Sequence, residues 1–200
     1  CEKTGADVDE ISVAIGMDHR IGPHFLRTSV GFGGSCFQKD ILNLVYLCKY
    51  YGLNEVAEYW HQVLKINDYQ KKRFAQKIID GLGGKVNKKK IAILGWAFKA
   101  RTNDSRESAS IYVANYLILA GAEIHVYDPM VSKERVYADL ENLWKENLID
   151  DKEILEKTSQ VKIFDQLTKT INGASAVGIL TEWEEFKNYD WSIIDESVKI

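Results

Sequence analysis

The apolar positions of this chain change period part-way along it. Between residues 35 and 51, Phe37, Ile41, Leu44, Val45 and Cys48 fall at i, i+4, i+7, i+8 and i+11, the single stripe of an amphipathic helix. A second helical pattern starts at Asn54, its expected cap, and runs to about Leu82, where Gly81, Gly83 and Gly84 close it. At 1.5 Å per residue its roughly 28 residues span about 42 Å. A helix longer than a small domain is wide is expected to connect domains or to build a subunit interface. A shorter helix over residues 7–17 opens on an Asp7/Glu10 capping pair and ends near Gly16. Past a lysine-rich loop at 85–90 the pattern turns to strands. Ile91-Ala92-Ile93-Leu94 is a continuous apolar run stopped by Gly95, as in a strand buried on both faces. Further on come a helix at 108–120 ended by Gly121, a strand at 123–127 halted by Asp128-Pro129, and a charged, mostly helical stretch to about Thr158. A strand at 161–164, a helix and a strand at 176–180 complete the alternation. Such alternation predicts an α/β fold with a parallel sheet covered on both faces. Ligands of such sheets sit beyond the strand carboxyl ends, here at residues 95–106.

Composition excludes more than it selects. The 200 residues are 46% hydrophobic and 28% charged, with a formal net charge of −3. Without a basic field, nucleic acid is not an expected partner. Lys88-Lys89-Lys90 reads as a solvated loop ahead of a strand. Three cysteines, odd in number and unpatterned in spacing, argue for a reducing compartment over a disulfide framework. Asn103-Asp104-Ser105 matches a glycosylation triplet, but no secretory signal accompanies it. No apolar run approaches the roughly 20 residues of a membrane span. A soluble, cytoplasmic protein is expected. His19, His24, His61 and His125 have no metal-ligand spacing, and no metal site is expected. The five tryptophans read as packing anchors.

The chemistry concentrates in Gly31-Phe32-Gly33-Gly34-Ser35-Cys36-Phe37-Gln38-Lys39-Asp40. A glycine run delivers Cys36 to the first turn of a helix, with Ser35 as expected N-cap and Gln38 at capping-box distance. Free amides and the positive end of the helix favour an anion there, including a thiolate. Asp40 at i+4 shares the face of Cys36. This suits an activated nucleophile with a polar assistant; a small buried cysteine behind a glycine turn is the plainer alternative. Glycines at 31, 33 and 34 would let backbone amides approach a sugar or phosphate, where an ordinary flexible turn is again the alternative. Cys48 lies on the apolar stripe and belongs to the core. Lys99 and Arg106, in the loop after a strand, suit an anion at the sheet edge, although composition alone makes them ordinary surface charges.

The decapeptide resembles the active-site segment of the UDP-glucose/GDP-mannose dehydrogenase family of nucleotide-sugar dehydrogenases. Much of that family reads GGSC-x-P-K-D, and Phe37-Gln38 is similar to the animal and plant form. The resemblance extends over nearly the whole chain, through Ile15-Gly16-Met17-Asp18-His19-Arg20-Ile21-Gly22, Ile93-Leu94-Gly95-Trp96-Ala97-Phe98-Lys99, Asp104-Ser105-Arg106-Glu107-Ser108, Tyr127-Asp128-Pro129 and Leu180-Thr181-Glu182-Trp183. It implies NAD-dependent oxidation of UDP-glucose to UDP-glucuronate by two hydride transfers through a thiohemiacetal and a thioester on Cys36, with Asp40 positioning water or the sulfur. It implies substrate contacts from Phe25, Arg27, Thr28, Ser29, Val30, Gly31, Phe32, Gly33, Phe98 and Lys99, with Arg20 reaching a neighbouring subunit's site. Cofactor contacts are implied for Cys36, Phe37, Gln38, Lys39 and Arg106. Ala100 stands where the family more often has a second lysine, and no function attaches to it. A dimer-based homo-oligomer is implied as well.

The implied organisation is a central helical region with the long connecting helix over 1–84, then a Rossmann-like UDP-binding domain over 85–200, truncated at its end. The family places an NAD-binding domain ahead of this region, yet no G-x-G-x-x-G follows a strand here. The chain is therefore expected to be a C-terminal piece of such an enzyme, inactive by itself. Two other readings stay open: a dehydrogenase of another sugar nucleotide, such as a UDP-N-acetyl sugar or GDP-mannose, and a non-catalytic nucleotide-binding or oligomerisation module. The last gives Cys36 and Asp40 no reason to stand together.

Overall fold

A computed structural model describes residues 1–194 and 198. Residues 195–197 and 199–200, at the end of the expected second domain, lie outside the described residues. The chain forms two compact units, Cys1–Val30 and Gly31–Ile200. In the first, α1 (Val8–Gly16) is capped as expected, Asp7 Oδ1 accepting the Asp9 and Glu10 amides at 2.7 and 3.3 Å.

The second unit opens with a helical pair. In α2 (Phe37–Tyr50) the stripe residues Ile41, Val45 and Cys48 turn inward and meet Ala57 and Leu64 of α3 (Asn54–Gly81), a helix of 28 residues. Phe37 of that stripe stays exposed. Two expected caps do not form. Cys36, not Ser35, occupies the N-cap position of α2, without a side-chain cap, and the Gln38 amide, the other half of the expected capping box, is drawn instead to Glu107 at 2.9 Å. Asn54 is the first residue of α3 rather than its cap. The end of α2 sets that start: Gly52 N–H bonds Lys49 O at 3.0 Å and Leu53 N–H bonds Cys48 O at 2.8 Å, a Schellman closure with Gly52 at φ 74°. Leu53 is thereby fixed where α3 begins.

The α/β part contains β1 (Lys90–Leu94), α4 (Ala109–Leu119), β2 (Glu123–Tyr127), α5 (Lys133–Glu146), α6 (Asp151–Ser159), β3 (Val161–Ile163), α7 (Leu167–Ile171), β4 (Ala176–Ile179) and α8 (Glu184–Lys187). All pairings are parallel, in the order β3-β2-β1-β4, with Ile91 opposite both Ile124 and Ala176. The chain builds outward from β1 to β3 and then returns to place β4 on the other side of β1. The order reverses between β1 and β4, so their carboxyl ends flank the crevice where such sheets bind ligands. Residues 91–94 are fully buried, and α4 is apolar almost all round, because it lies between the sheet and α3. Among the described residues, no helix is long and apolar enough to cross a membrane.

Two buried carboxylates fix the loop after β1. Asp128 accepts the Trp96 and Ala97 amides (2.6 and 3.0 Å) and the Trp183 indole (3.1 Å) on one oxygen. It takes the Met130 and Val131 amides (2.8 and 2.9 Å) on the other. Asp139 takes the Trp96 indole at 3.0 Å, the Ser105 hydroxyl at 2.5 Å and Arg135 Nε at 2.9 Å. Thr181 Oγ1 donates to Ala97 O at 2.7 Å, and Gly95, at φ 92°, leaves no room for a Cβ beside Thr181. The motifs at 95–97, 127–129 and 181–183 are thus one hydrogen-bonded knot.

His125 on β2 is 3% exposed and packs against Phe164, with ring centroids 4.8 Å apart. Neither ring nitrogen has a hydrogen-bond partner among the described residues. Burial first, then Lys90 and Lys162, push its pKa from 6.5 down to about 4, against smaller upward pulls from Glu123 and the Thr170 backbone. The unfolded chain takes the proton near pH 6.5 and the folded one refuses it. Stability present above pH 6.5 is therefore lost as pH falls toward 4, by about 2 kcal/mol. His125→Leu is expected to flatten the pH dependence of the denaturation midpoint between pH 6.5 and 4.5; parallel curves for the two proteins would refute it.

Candidate active site

The glycine segment is a close-packed joint, which sets aside the flexible turn. A Cβ on Gly33 would stand 2.4 Å from Glu107 O, and one on Gly31, at φ 132°, 2.7 Å from Asn67 Oδ1. Gly34, at φ 89°, lies so close to the Phe98 ring that a Cβ would meet it at 3.1 Å. Neither backbone nor ring can yield easily, so glycine is required. Gly34 N–H donates to Arg106 O at 2.8 Å. From α3, Asn67 brackets Phe32, accepting its amide at 2.8 Å and donating to its carbonyl at 3.0 Å. The loop is pinned on one side by the long helix and on the other by the loop after β1.

It presents Cys36 at the start of α2. Cys36 is exposed whereas Cys48 is buried, so the buried-cysteine alternative fits only Cys48. Ser35 Oγ lies 3.7 Å from Sγ. Asp40 donates its amide to Cys36 O at 2.8 Å, and its exposed carboxylate has Lys39 Nζ at 3.7 Å. Phe32 and Phe37 meet edge to face at 4.6 Å.

Across the joint, Arg106 makes a two-pronged pair with Asp104, Nε–Oδ1 3.0 Å and Nη2–Oδ2 2.8 Å. Asp104 raises the arginine pKa most, with a much smaller push from Cys36. Lys99 is exposed, its Nζ 5.3 Å from the centre of the Phe98 ring. Glu107 holds a left-handed backbone at φ 54°, and its Oε2 accepts from both Gln38 Nε2 (2.9 Å) and the Tyr112 hydroxyl (2.5 Å). Burial pushes the Tyr112 hydroxyl far above its ordinary pKa, and Glu107 adds to it. Lys71, 1% exposed, lies over the Tyr112 ring at 3.8 Å and 3.3 Å from Asp68 Oδ1. Burial lowers its pKa against the pull of Asp68 and Glu107.

The structure thus brings together Gly31, Phe32, Gly33, Cys36, Phe37, Gln38, Lys39, Asp40, Phe98, Lys99 and Arg106. The remaining expected residues lie in the first unit. Arg20 pairs with Asp18 at 2.5 Å, which lowers the carboxylate pKa and raises that of the arginine. Phe25 is fully exposed at φ 63°, a costly combination for a bulky residue. Arg27, Thr28 and Ser29 are exposed and Val30 is buried. Sequence reasoning missed Asn67, Lys71, Glu107 and Tyr112. Asn67 and Lys71 left a trace: they continue the inward register of Ala57, Leu64 and Ala75, and polar residues at core positions call for partners.

The parallel sheet and its crevice, with the segment bearing the exposed Cys36 thiol tied to the loop after β1, define a Rossmann-like α/β protein. Residues 1–69 match the central domain of the UDP-glucose/GDP-mannose dehydrogenase family and residues 92–200 its UDP binding domain. The chain belongs to that family. It is 52% identical over 198 residues to a UDP-glucose 6-dehydrogenase of Pongo abelii and 48% identical over 202 residues to UDP-glucose 6-dehydrogenase 4 of Arabidopsis thaliana. These alignments cover 99% and 100% of this chain but 39% and 42% of the relatives. A solved UDP-glucose dehydrogenase from Pyrobaculum islandicum superposes with a TM-score of 0.73 at 30% identity, covering 94% of this chain and 39% of that one. The chain spans about two fifths of the length of these relatives.

Proposed function

We propose that this chain is the nucleophile-bearing and UDP-binding part of an NAD-dependent dehydrogenase that oxidises UDP-glucose to UDP-glucuronate. The observation that carries the reading is the joint itself, which ties the segment bearing an exposed cysteine to the Arg106 backbone at the ligand end of a parallel sheet. Residues 1–84 act as the central region and 85–200 as the UDP-binding domain of a cytoplasmic homo-oligomer. In that role the C6 alcohol loses a hydride and a proton to become an aldehyde. Cys36 Sγ adds to the aldehyde carbon, giving a thiohemiacetal that cannot escape. Loss of a second hydride and the hydroxyl proton leaves a thioester. Water, positioned by Asp40, adds to it, the C–S bond breaks, and carboxylate and thiol are released. NAD supplies the hydride acceptor, twice per sugar. On this chain Cys36, Phe37, Gln38, Lys39 and Arg106 would line it; the exposed Arg106 guanidinium suits an anionic cofactor, while most of a dinucleotide site must come from elsewhere. Phe98, Lys99 and residues 31–33 contact the sugar nucleotide; by the family resemblance Phe25 and residues 27–30 also carry substrate contacts. Arg20 completes a neighbouring subunit's site.

The test is to assay the full-length protein with UDP-glucose and NAD. Two NADH and one UDP-glucuronate per sugar are expected, whereas the 200-residue chain alone gives none. One NADH per sugar would sink the thioester route, and preferential oxidation of GDP-mannose or a UDP-N-acetyl sugar would sink the substrate.

A further inference from the structure

The polar groups beneath the glycine joint form a continuous chain that the chemistry above does not use. Lys71 stands over Tyr112, Tyr112 donates to Glu107 Oε2 at 2.5 Å, and Gln38, in the first turn of α2, donates to the same oxygen at 2.9 Å. Glu107 also supplies the carbonyl against which Gly33 is seated, and its neighbour Arg106 accepts the Gly34 amide. One residue therefore touches the cysteine segment on both sides of Cys36, through its backbone before the cysteine and through its carboxylate after it. Its left-handed backbone makes this double contact possible, and such conformations persist where the surroundings enforce them.

We propose that Glu107 is a positioning residue for the nucleophile: its carboxylate clamps Gln38 and so fixes the start of α2, and with it the direction of Cys36 Sγ. The inference rests on Cys36 being the nucleophile. Gln38 and Tyr112 both donate to Glu107, so what the clamp needs at 107 is an acceptor for two hydrogens. Glutamine at 107 can still serve, its oxygen taking the Tyr112 hydroxyl and its amide donating to a flipped Gln38. Alanine cannot. Glutamate at 38 would set two carboxylates against each other, whereas glutamate at 38 with glutamine at 107 satisfies every donor again.

The experiment uses the full-length protein with Glu107→Ala, Glu107→Gln, Gln38→Glu and the double variant Gln38→Glu/Glu107→Gln. Glu107→Ala and Gln38→Glu are expected to lower kcat by roughly ten-fold or more, the order of loss that a small misplacement brings, with KM for UDP-glucose little changed. Glu107→Gln should retain most of kcat; the double variant is read by labelling and not by turnover, because Gln38 also stands among the residues that would line the cofactor. Iodoacetamide labelling read site by site gives an independent measure, with the buried Cys48 as reporter of opening and the exposed Cys1 as reference. Cys36 should label several-fold more slowly relative to Cys1 in Gln38→Glu, recover in the double variant, and leave Cys48 protected throughout. Wild-type kcat in Glu107→Ala, no recovery of Cys36 labelling in the double variant, or Cys48 opening alongside the loss would each overturn the proposal. If the wild type leaves UDP-glucose unoxidised, the functional reading fails separately, and the labelling pattern alone decides the role of Glu107.

Discussion

Replacing Cys36 by serine in the full-length protein is expected to lower UDP-glucuronate production by roughly a thousand-fold or more while leaving UDP-glucose binding nearly unchanged. A hydroxyl is a far weaker nucleophile than a thiolate, and loss of an essential nucleophile carries penalties of that order or larger. The surroundings keep their shape, because among the described residues Cys36 makes no side-chain cap and its side-chain contact is a long one, to Ser35 at 3.7 Å. The segment is held instead by Gly34 N–H on Arg106 O and by Asn67 on both sides of Phe32. Calorimetric titration of UDP-glucose alongside a turnover assay separates the two effects. Near-normal turnover in the serine variant would eliminate the covalent role, and a lost binding isotherm would mean that Cys36 shapes the pocket.

The second large effect is structural. Asp128→Ala removes the acceptor of five N–H groups in a site where the carboxylate is 9% exposed. Each stranded buried donor costs on the order of 1–3 kcal/mol, and water entering the void offsets part of it. A net loss of at least about 3 kcal/mol is expected, a fall of roughly 10 °C in melting temperature. Asp128→Asn keeps one acceptor oxygen and should fall between the two. Thermal melts of the three proteins check the order, and an alanine variant as stable as wild type would mean that the knot contributes nothing.

The alternation of strands and helices was legible because its punctuation is local. Gly95, Gly121 and Asp128-Pro129 mark ends that no long-range contact has to decide, and the apolar run at 91–94 admits few readings besides a buried strand. Cys48 could be assigned to the core from its stripe alone. The caps of α2 and α3 were misread for the opposite reason. Whether Gln38 turns back to its own helix or across to Glu107 depends on a residue 69 positions away, and the start of α3 is set by how α2 ends. Asn67 and Lys71 escaped because a periodicity argument sends polar residues outward, while their partners, Phe32 and Tyr112, come from other segments. Asp128 could be seen to stop a strand, but its five donors come from three separate stretches of chain.

The meeting of Gly33 with Glu107 is main chain against main chain, 2.4 Å from where a Cβ would stand, and this governs how parts can be exchanged among relatives. A recombinant protein joined within residues 82–89 takes the cysteine segment from one parent and the loop after β1 from the other. The two parents can differ in exposed side chains that the joint does not use. What they must share is the length and course of residues 31–36 and 95–108, since an inserted or deleted residue in either shifts a backbone surface that has no side chains with which to adapt. Shuffling that respects those two lengths is free to vary exposed side chains without disturbing the seat of Cys36.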